Sequence, residues 1–185
     1  MTSLYFAFAD RVSRADWLIT TLARLVFAGT LLMYFWNSAM TKLGDGVFGI
    51  FRPSAGAYVQ IFPRVMEQVS YDPSQLGWYY WAVAVAGTWA EFILPALIVF
   101  GLLTRFAAFG MIGFVIVQTL TDLIGHGGLA HPETHGAWFD IIPDSPILDQ
   151  RAFWVFLLLV LVIKGAGPIS IDRILTGRHH SLEDA

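Results

Sequence analysis

Cysteine is absent from the 185-residue sequence. That absence excludes disulfides, zinc–thiolate sites, iron–sulfur clusters and thiol catalysis within the chain. Charge is scarce too: Asp, Glu, Lys and Arg make up 14% of residues, against about 25% in an ordinary soluble domain. The net charge of −3 comes with no basic cluster, so no nucleic-acid partner is expected. No histidine lies well inside a long apolar run, which argues against a bis-histidine haem between helices. The start, MTSLYFAFADRVSRADW, lacks the short apolar core of a secretory leader because the apolar run after it is too long, and it is expected to be retained.

What the chain has instead is apolar length. Residues of hydrophobic type make up 56% of it, and four segments, approximately 17–40, 78–103, 106–124 and 150–166, are candidates to cross the hydrocarbon core. A bilayer core about 30 Å thick needs roughly 20 helical residues. The runs do not alternate as barrel strands do, and helices satisfy their own backbone amides in lipid. The expected fold class is therefore all-α, a single integral membrane domain built as a four-helix bundle. Arg11, Arg14, Arg105, Lys164, Arg173 and Arg178 fall on the side of both termini, against Lys42, Arg52, Arg64 and Arg151 on the other. This bias predicts cytoplasmic termini. Trp17, Trp36, Trp78, Tyr79, Tyr80, Trp81 and Trp154 near the span ends read as an interfacial belt. In the first long connection, residues 54–69 place Tyr58, Ile61, Phe62, Val65, Met66 and Val69 on one face, an outer interfacial helix that Pro63 kinks or restarts.

Polar residues inside these runs stand out, because a charge at the centre of a membrane helix costs about 2.5–3.5 kcal/mol on insertion scales. Arg24 lies about two turns into the first run, Glu91 sits near the middle of the second, and Gln118 and Asp122 are one turn apart on the third. Pro95, four residues after Glu91, cannot donate to the Glu91 carbonyl, so a carboxylate and a freed carbonyl share one place. Two readings of Glu91 follow: a tie to Arg24, Asn37 or Lys42 of the first run, or a hydrogen-bonding and proton-accepting wall of a pocket for a membrane-soluble molecule such as a quinone. Gln118 and Asp122 serve either as the opposite wall of that pocket or as a cap on the third helix.

The loop HGGLAHPETHGAWFDIIPDSPILDQR carries His126, His131 and His135 with Glu133 and Asp140. Imidazole and carboxylate suit copper or zinc, so the three histidines are candidate metal ligands, although their spacing matches no helix-borne metal motif. His179 and His180 in the polar tail read as solvent residues.

Three stretches then carry a resemblance: ARLVFAGTLLMYFWNSAMTKLGD with Arg24 and Lys42, AEFILPALIVFGLLTRFAAFGM around Glu91 and Arg105, and KGAGPISID from Lys164 to Asp172. The chain resembles the DoxX family of small bacterial membrane proteins, named after a relative of a thiosulfate:quinone oxidoreductase subunit. The resemblance implies a multi-pass protein of the bacterial cytoplasmic (inner) membrane, surrounded by lipid, working in a respiratory-type redox process. It makes Glu91 the leading quinone-pocket residue, with Arg24 and Lys42 as charge partners. With no haem or iron–sulfur ligands in the chain, electrons would come from another subunit. The alternative is a non-catalytic scaffold anchoring a larger complex; a transporter is a third reading, and its four spans would call for a homo-oligomer. Gly110 and Gly113 permit close helix packing inside or between subunits. For GAGPISID, the residues themselves suggest a helix stop at the glycines and Pro168, then a short helix capped by Ser170 or Asp172.

Overall fold

The computed structural model describes residues 2–176; Arg178, His179 and His180 lie outside the described residues. The chain begins with α1 (Thr2–Ser13) and passes through Arg14 and Ala15 into α2 (Asp16–Lys42). Two short helices, α3 (Ala55–Ile61) and α4 (Pro63–Gln68), precede α5 (Trp78–Phe100) and α6 (Thr104–Gly125). After an irregular loop come α7 (Leu148–Lys164) and α8, residues 171–176. The structure is all-helical among the described residues, with an antiparallel bridge between Leu43 and Pro53 closing the loop after α2.

Helices α2, α5 and α6 are long and apolar enough to cross a membrane. Only 28%, 28% and 22% of their most apolar windows are buried within the protein, so most of their greasy surface points outward, as lipid requires and water penalises. Phe106, Phe109, Phe153 and Phe156 are all exposed. Helix α7, with 17 residues, is about 25 Å long at 1.5 Å per residue, shorter than the other three. Its Leu158 and Leu161 nevertheless join Phe27, Leu31 and Phe35 of α2, Ile98 of α5, and Met111 and Val115 of α6 in one core.

Trp36 and Trp154, expected in the interfacial belt, turn inward. Trp154 packs on Tyr34 and Phe35 with ring centroids 5.2 and 6.0 Å apart, and Trp36 donates from Nε1 to the Phe92 carbonyl at 3.2 Å. Trp17, Trp78, Tyr79 and Trp81 remain exposed. The single helix expected over 54–69 is two helices, because Pro63 starts α4 and the residue before a proline avoids helical backbone: Phe62 has φ −128° and ψ 54°. Their Tyr58 and Met66 close over Ala84 of α5, with Phe62 against Tyr80 at 5.0 Å. Beyond them Asp72 caps a turn by accepting from Ser74 N at 3.0 Å and Gln75 Nε2 at 3.2 Å, bonds that hold its carboxyl below the usual range.

The opposite end of the fold is a knot of polar bonds. Gly101 ends α5 in left-handed backbone, φ 68°, with Gly101 N donating to Ile98 O and Leu102 N to Leu97 O at 3.2 and 3.0 Å. This is a Schellman stop. Asp172 then caps α6 from far along the chain, accepting from Leu103 N at 2.7 Å and Thr104 N at 3.0 Å. Ser170 caps α8 by accepting from Arg173 N at 3.2 Å. Of the two caps anticipated for that short helix, Ser170 takes the role and Asp172 serves a different helix. Lys164 meets Asp16 at 3.0 Å, so the start of α2 and the end of α7 lie at this same end.

A Cβ on Gly101 would lie 2.6 Å from Ser170 Cβ and 2.9 Å from Arg24 Cζ, in addition to the left-handed strain. Gly101→Val is expected to cost at least about 2 kcal/mol, read as a lowered unfolding midpoint in mild detergent. Gly29→Ala, where a Cβ meets nothing within 4 Å, is expected to leave that midpoint unchanged or slightly raised.

Candidate functional site

Glu91 of α5 and Lys42 of α2 form the polar centre. Lys42 Nζ donates to Glu91 Oε1 at 3.0 Å and to Oε2 at 2.9 Å, and to Ser38 Oγ at 2.6 Å. Ser38 Oγ in turn donates to Glu91 Oε1 at 3.0 Å. Glu91 is 3% exposed and Lys42 5%, so each charge depends on the other for its solvation. The geometry is local in origin: Ser38 and Lys42 are one turn apart on one face of α2, and the lysine stem folds back along that face. Ser54 holds the end of α2, its N donating to Lys42 O at 2.9 Å and its Oγ to Thr41 O at 3.1 Å.

The pair borders a cavity of about 480 Å³. Small residues create the space: Ala86, Gly87 and Ala90 from α5 face Gly110 and Gly113 from α6, and a Cβ on Gly113 would meet nothing within 4 Å. Leu94, Phe114 and Val117 add apolar wall, while Gln118, Asp122, Gln60 and His126 add polar groups. Gln118 donates from Nε2 to the Tyr34 hydroxyl at 2.9 Å and leaves Oε1 buried with no partner. His126 Nε2 lies 3.0 Å from the Gln60 carbonyl, joining α3 to the end of α6. That end is a wide π-helical turn, Thr121–Gly125, a distortion frequent at functional sites.

Of the residues singled out in the sequence, Glu91, Lys42, Gln118, Asp122 and His126 line this one cavity. Arg24 does not. It lies at the other end of α5, donating from Nε to Ile98 O at 3.0 Å and from Nη1 to Ala166 O at 3.1 Å, with further bonds to Val99 O and Ile169 O. These are carbonyls of the last turn of α5, of which Ile98 O also accepts from Gly101 N, and of the 165–170 segment, so its cation serves the backbone and not Glu91. Asn37 is exposed and makes no bond to Glu91. Asp122 lines the cavity and also pairs with Arg151 of α7, whose Nη1 donates to Thr119 Oγ1 at 3.0 Å.

The three histidines are separated. His131 sits beside Glu133 at 3.3 Å on an exposed surface, His135 Nδ1 lies 2.6 Å from its neighbouring carbonyl of Gly136, and His126 belongs to the cavity. Among the described residues no group of three His, Cys, Asp or Glu converges as a metal site. Sequence reasoning missed Ser38, Tyr34 and Arg151. Ser38 had a readable signal, its position one turn before Lys42; Arg151 looked like a loop cation because its partner Asp122 is on another helix.

Apolar helices with outward-facing side chains and buried ion pairs between them define a polytopic helical membrane protein. The DoxX family model matches residues 19–126, more than half of the chain, and the protein belongs to the DoxX family. The matched segment carries every cavity residue named above, whereas α7 and the 165–172 segment lie beyond it. The chain is similar to an uncharacterised protein of Haemophilus influenzae, 29% identical over 124 residues, covering 64% of this chain and 66% of that one. No solved structure matches.

Removing one member of the buried pair strands the other. Lys42→Met is expected to cost roughly 3–5 kcal/mol of stability, and Lys42→Met combined with Glu91→Leu to cost much less than the sum of the single changes. Unfolding midpoints of the four members of this double-mutant cycle in mild detergent check it; additive effects would show that the pair is not coupled.

Proposed function

We propose that the protein is a membrane subunit of a redox process and holds a quinone in the cavity beside the Lys42–Glu91 pair. The observation that carries this reading is the combination, in one apolar cavity, of a buried ion pair and an amide with a free end: Gln118 Oε1 has no partner. Family membership and the reach of the family match over every cavity residue support it by analogy.

The residues fit such a ligand in size and chemistry. A bound quinone supplies a two-electron, two-proton couple. Gln118 is suited to both of its forms: as placed, Oε1 accepts from a hydroxyl, and with the amide turned over, Nε2 donates to a carbonyl while Oε1 accepts from Tyr34. Glu91 keeps lone pairs beyond those used by Lys42 and Ser38, and these suit it to accept from a second hydroxyl. The structural tie and the ligand wall are thus one arrangement, with Lys42 keeping the carboxylate in place. With no cysteine in the chain, electrons come from a partner subunit.

The same reading places four membrane-spanning helices, α2, α5, α6 and α7, in a bacterial inner membrane with both termini cytoplasmic. Two cations counted on the outer side, Lys42 and Arg151, are buried in ion pairs with Glu91 and Asp122. They leave Arg52 and Arg64 outside against Arg11, Arg14, Arg105, Lys164 and Arg173, which strengthens the positive-inside bias.

Mild-detergent purification from quinone-replete membranes is expected to yield bound quinone, and Gly113→Leu, which fills the cavity without touching the ion pair, to lower its occupancy at least about tenfold while the fold is kept. A tenfold loss corresponds to about 1.4 kcal/mol. Absence of quinone from the unaltered protein, or its full retention in Gly113→Leu, would defeat the reading. The cysteine-free sequence also permits a direct topology test: Arg52→Cys is expected to react with a membrane-impermeant maleimide on intact cells and Thr176→Cys only after lysis. The reverse pattern would invert the topology.

A further inference from the structure

At the end of the fold remote from the Lys42–Glu91 pair there is a second cavity, of about 680 Å³, between the α5–α6 turn and the segment from Lys164 to Thr176. Three cations from three helices border it: Arg105 from the first turn of α6, Lys164 from the end of α7 and Arg173 from α8. Their charges are only partly committed. Lys164 meets Asp16 at 3.0 Å. Arg105 donates from Nη1 to Val162 O at 2.9 Å and lies across Gly165, where a Cβ would come 3.3 Å from its Nε. Arg173 makes no side-chain hydrogen bond or ion pair among the described residues. Asp172, the acid on this wall, has both oxygens occupied by the amides of Leu103 and Thr104.

A second observation points to a missing partner. Thr104 lines the same cavity, is 0% exposed, and its Oγ1 has no hydrogen-bond partner. A buried hydroxyl left unpaired is destabilising, and a hydroxyl rotor can donate to an oxygen brought to that wall. The rim is apolar: Leu103, Phe106 and Leu175 are exposed around the cations. Because α5 ends and α6 begins here, the cavity opens where the hydrocarbon gives way to the headgroup layer.

We propose that this cavity binds the phosphate group of an anionic phospholipid. Guanidinium groups match phosphate oxygens in pairs, the ammonium adds charge, and basic pockets between membrane helices are known settings for lipid phosphates. Free phosphate shares the polar chemistry, but the ring of Leu103, Phe106 and Leu175 suits acyl chains that continue along the outward face of α6.

The test uses the full-length protein in mild detergent, with phosphatidylglycerol, phosphatidylcholine or inorganic phosphate added, followed by native mass spectrometry and thermal unfolding. Phosphatidylglycerol is expected to remain bound and to raise the unfolding midpoint, whereas the other two do neither. Arg173→Gln is expected to weaken phosphatidylglycerol binding about fivefold without changing the midpoint of the lipid-free protein, and Arg173→Lys to restore part of the loss. Equal response to phosphatidylcholine, or unchanged binding in both Arg173→Gln and Arg105→Gln, would overturn the proposal. A midpoint shift from inorganic phosphate as large as that from the lipid would assign the site to a free anion and overturn the lipid source.

Discussion

Hydrocarbon offers no hydrogen-bond partners, and the internal organisation of this protein follows from that constraint. The charges in the interior of the fold have found their solvation in the protein itself. Arg24 is wrapped by backbone carbonyls of two chain segments, Lys42 and Glu91 neutralise one another, and Arg151 is shared between Asp122 and Thr119. These bonds connect α2 to α5, α2 to the turn after α7, and α6 to α7. In a membrane, apolar contact distinguishes poorly between helix and lipid, so polar bonds and close packing decide which helices are neighbours.

The two ends of α5 are built differently. At its C-terminal end Gly101, Arg24 and Asp172 bond the carbonyls of Ile98 and Val99 and the amides of Leu103 and Thr104, and little space remains around the guanidinium. Toward its N-terminal half the small residues Ala86, Gly87 and Ala90 stand opposite Gly110 and Gly113, and the space between them remains open. The bonded end joins α5 to α6 at their turn, and toward the other end the cavity lies between them. The cavity between the two helices is backed by the Lys42–Glu91 pair, which joins α2 to α5, and the helices themselves meet at the Schellman turn.

Helix existence was readable from run length alone, because about 20 apolar residues leave few structural options in a bilayer. The importance of Glu91 was readable for the same reason, since a carboxylate in such a run demands a partner. The identity of that partner was only narrowed to three residues, of which Lys42 was one, because spacing along one helix does not report the rotation of another. Arg24 illustrates the failure: an intramembrane cation and an intramembrane anion suggested a pair, whereas a helix terminus with free carbonyls was the stronger competitor for the guanidinium. Arg151 and Asp122 failed in the opposite sense: one was counted only as an outer cation and the other only as a pocket wall or helix cap, although they touch. Pro63 was correctly a restart or kink, and only the backbone before it decided for a restart.

The cap that Asp172 places on α6 has a consequence for biosynthesis. Leu103 and Asp172 are 69 positions apart, so the α5–α6 turn is synthesised before the carboxylate that completes it. Until then two amides at the membrane boundary depend on water or headgroups. The segment around Asp172 therefore acts as a latch on a turn made earlier in the chain.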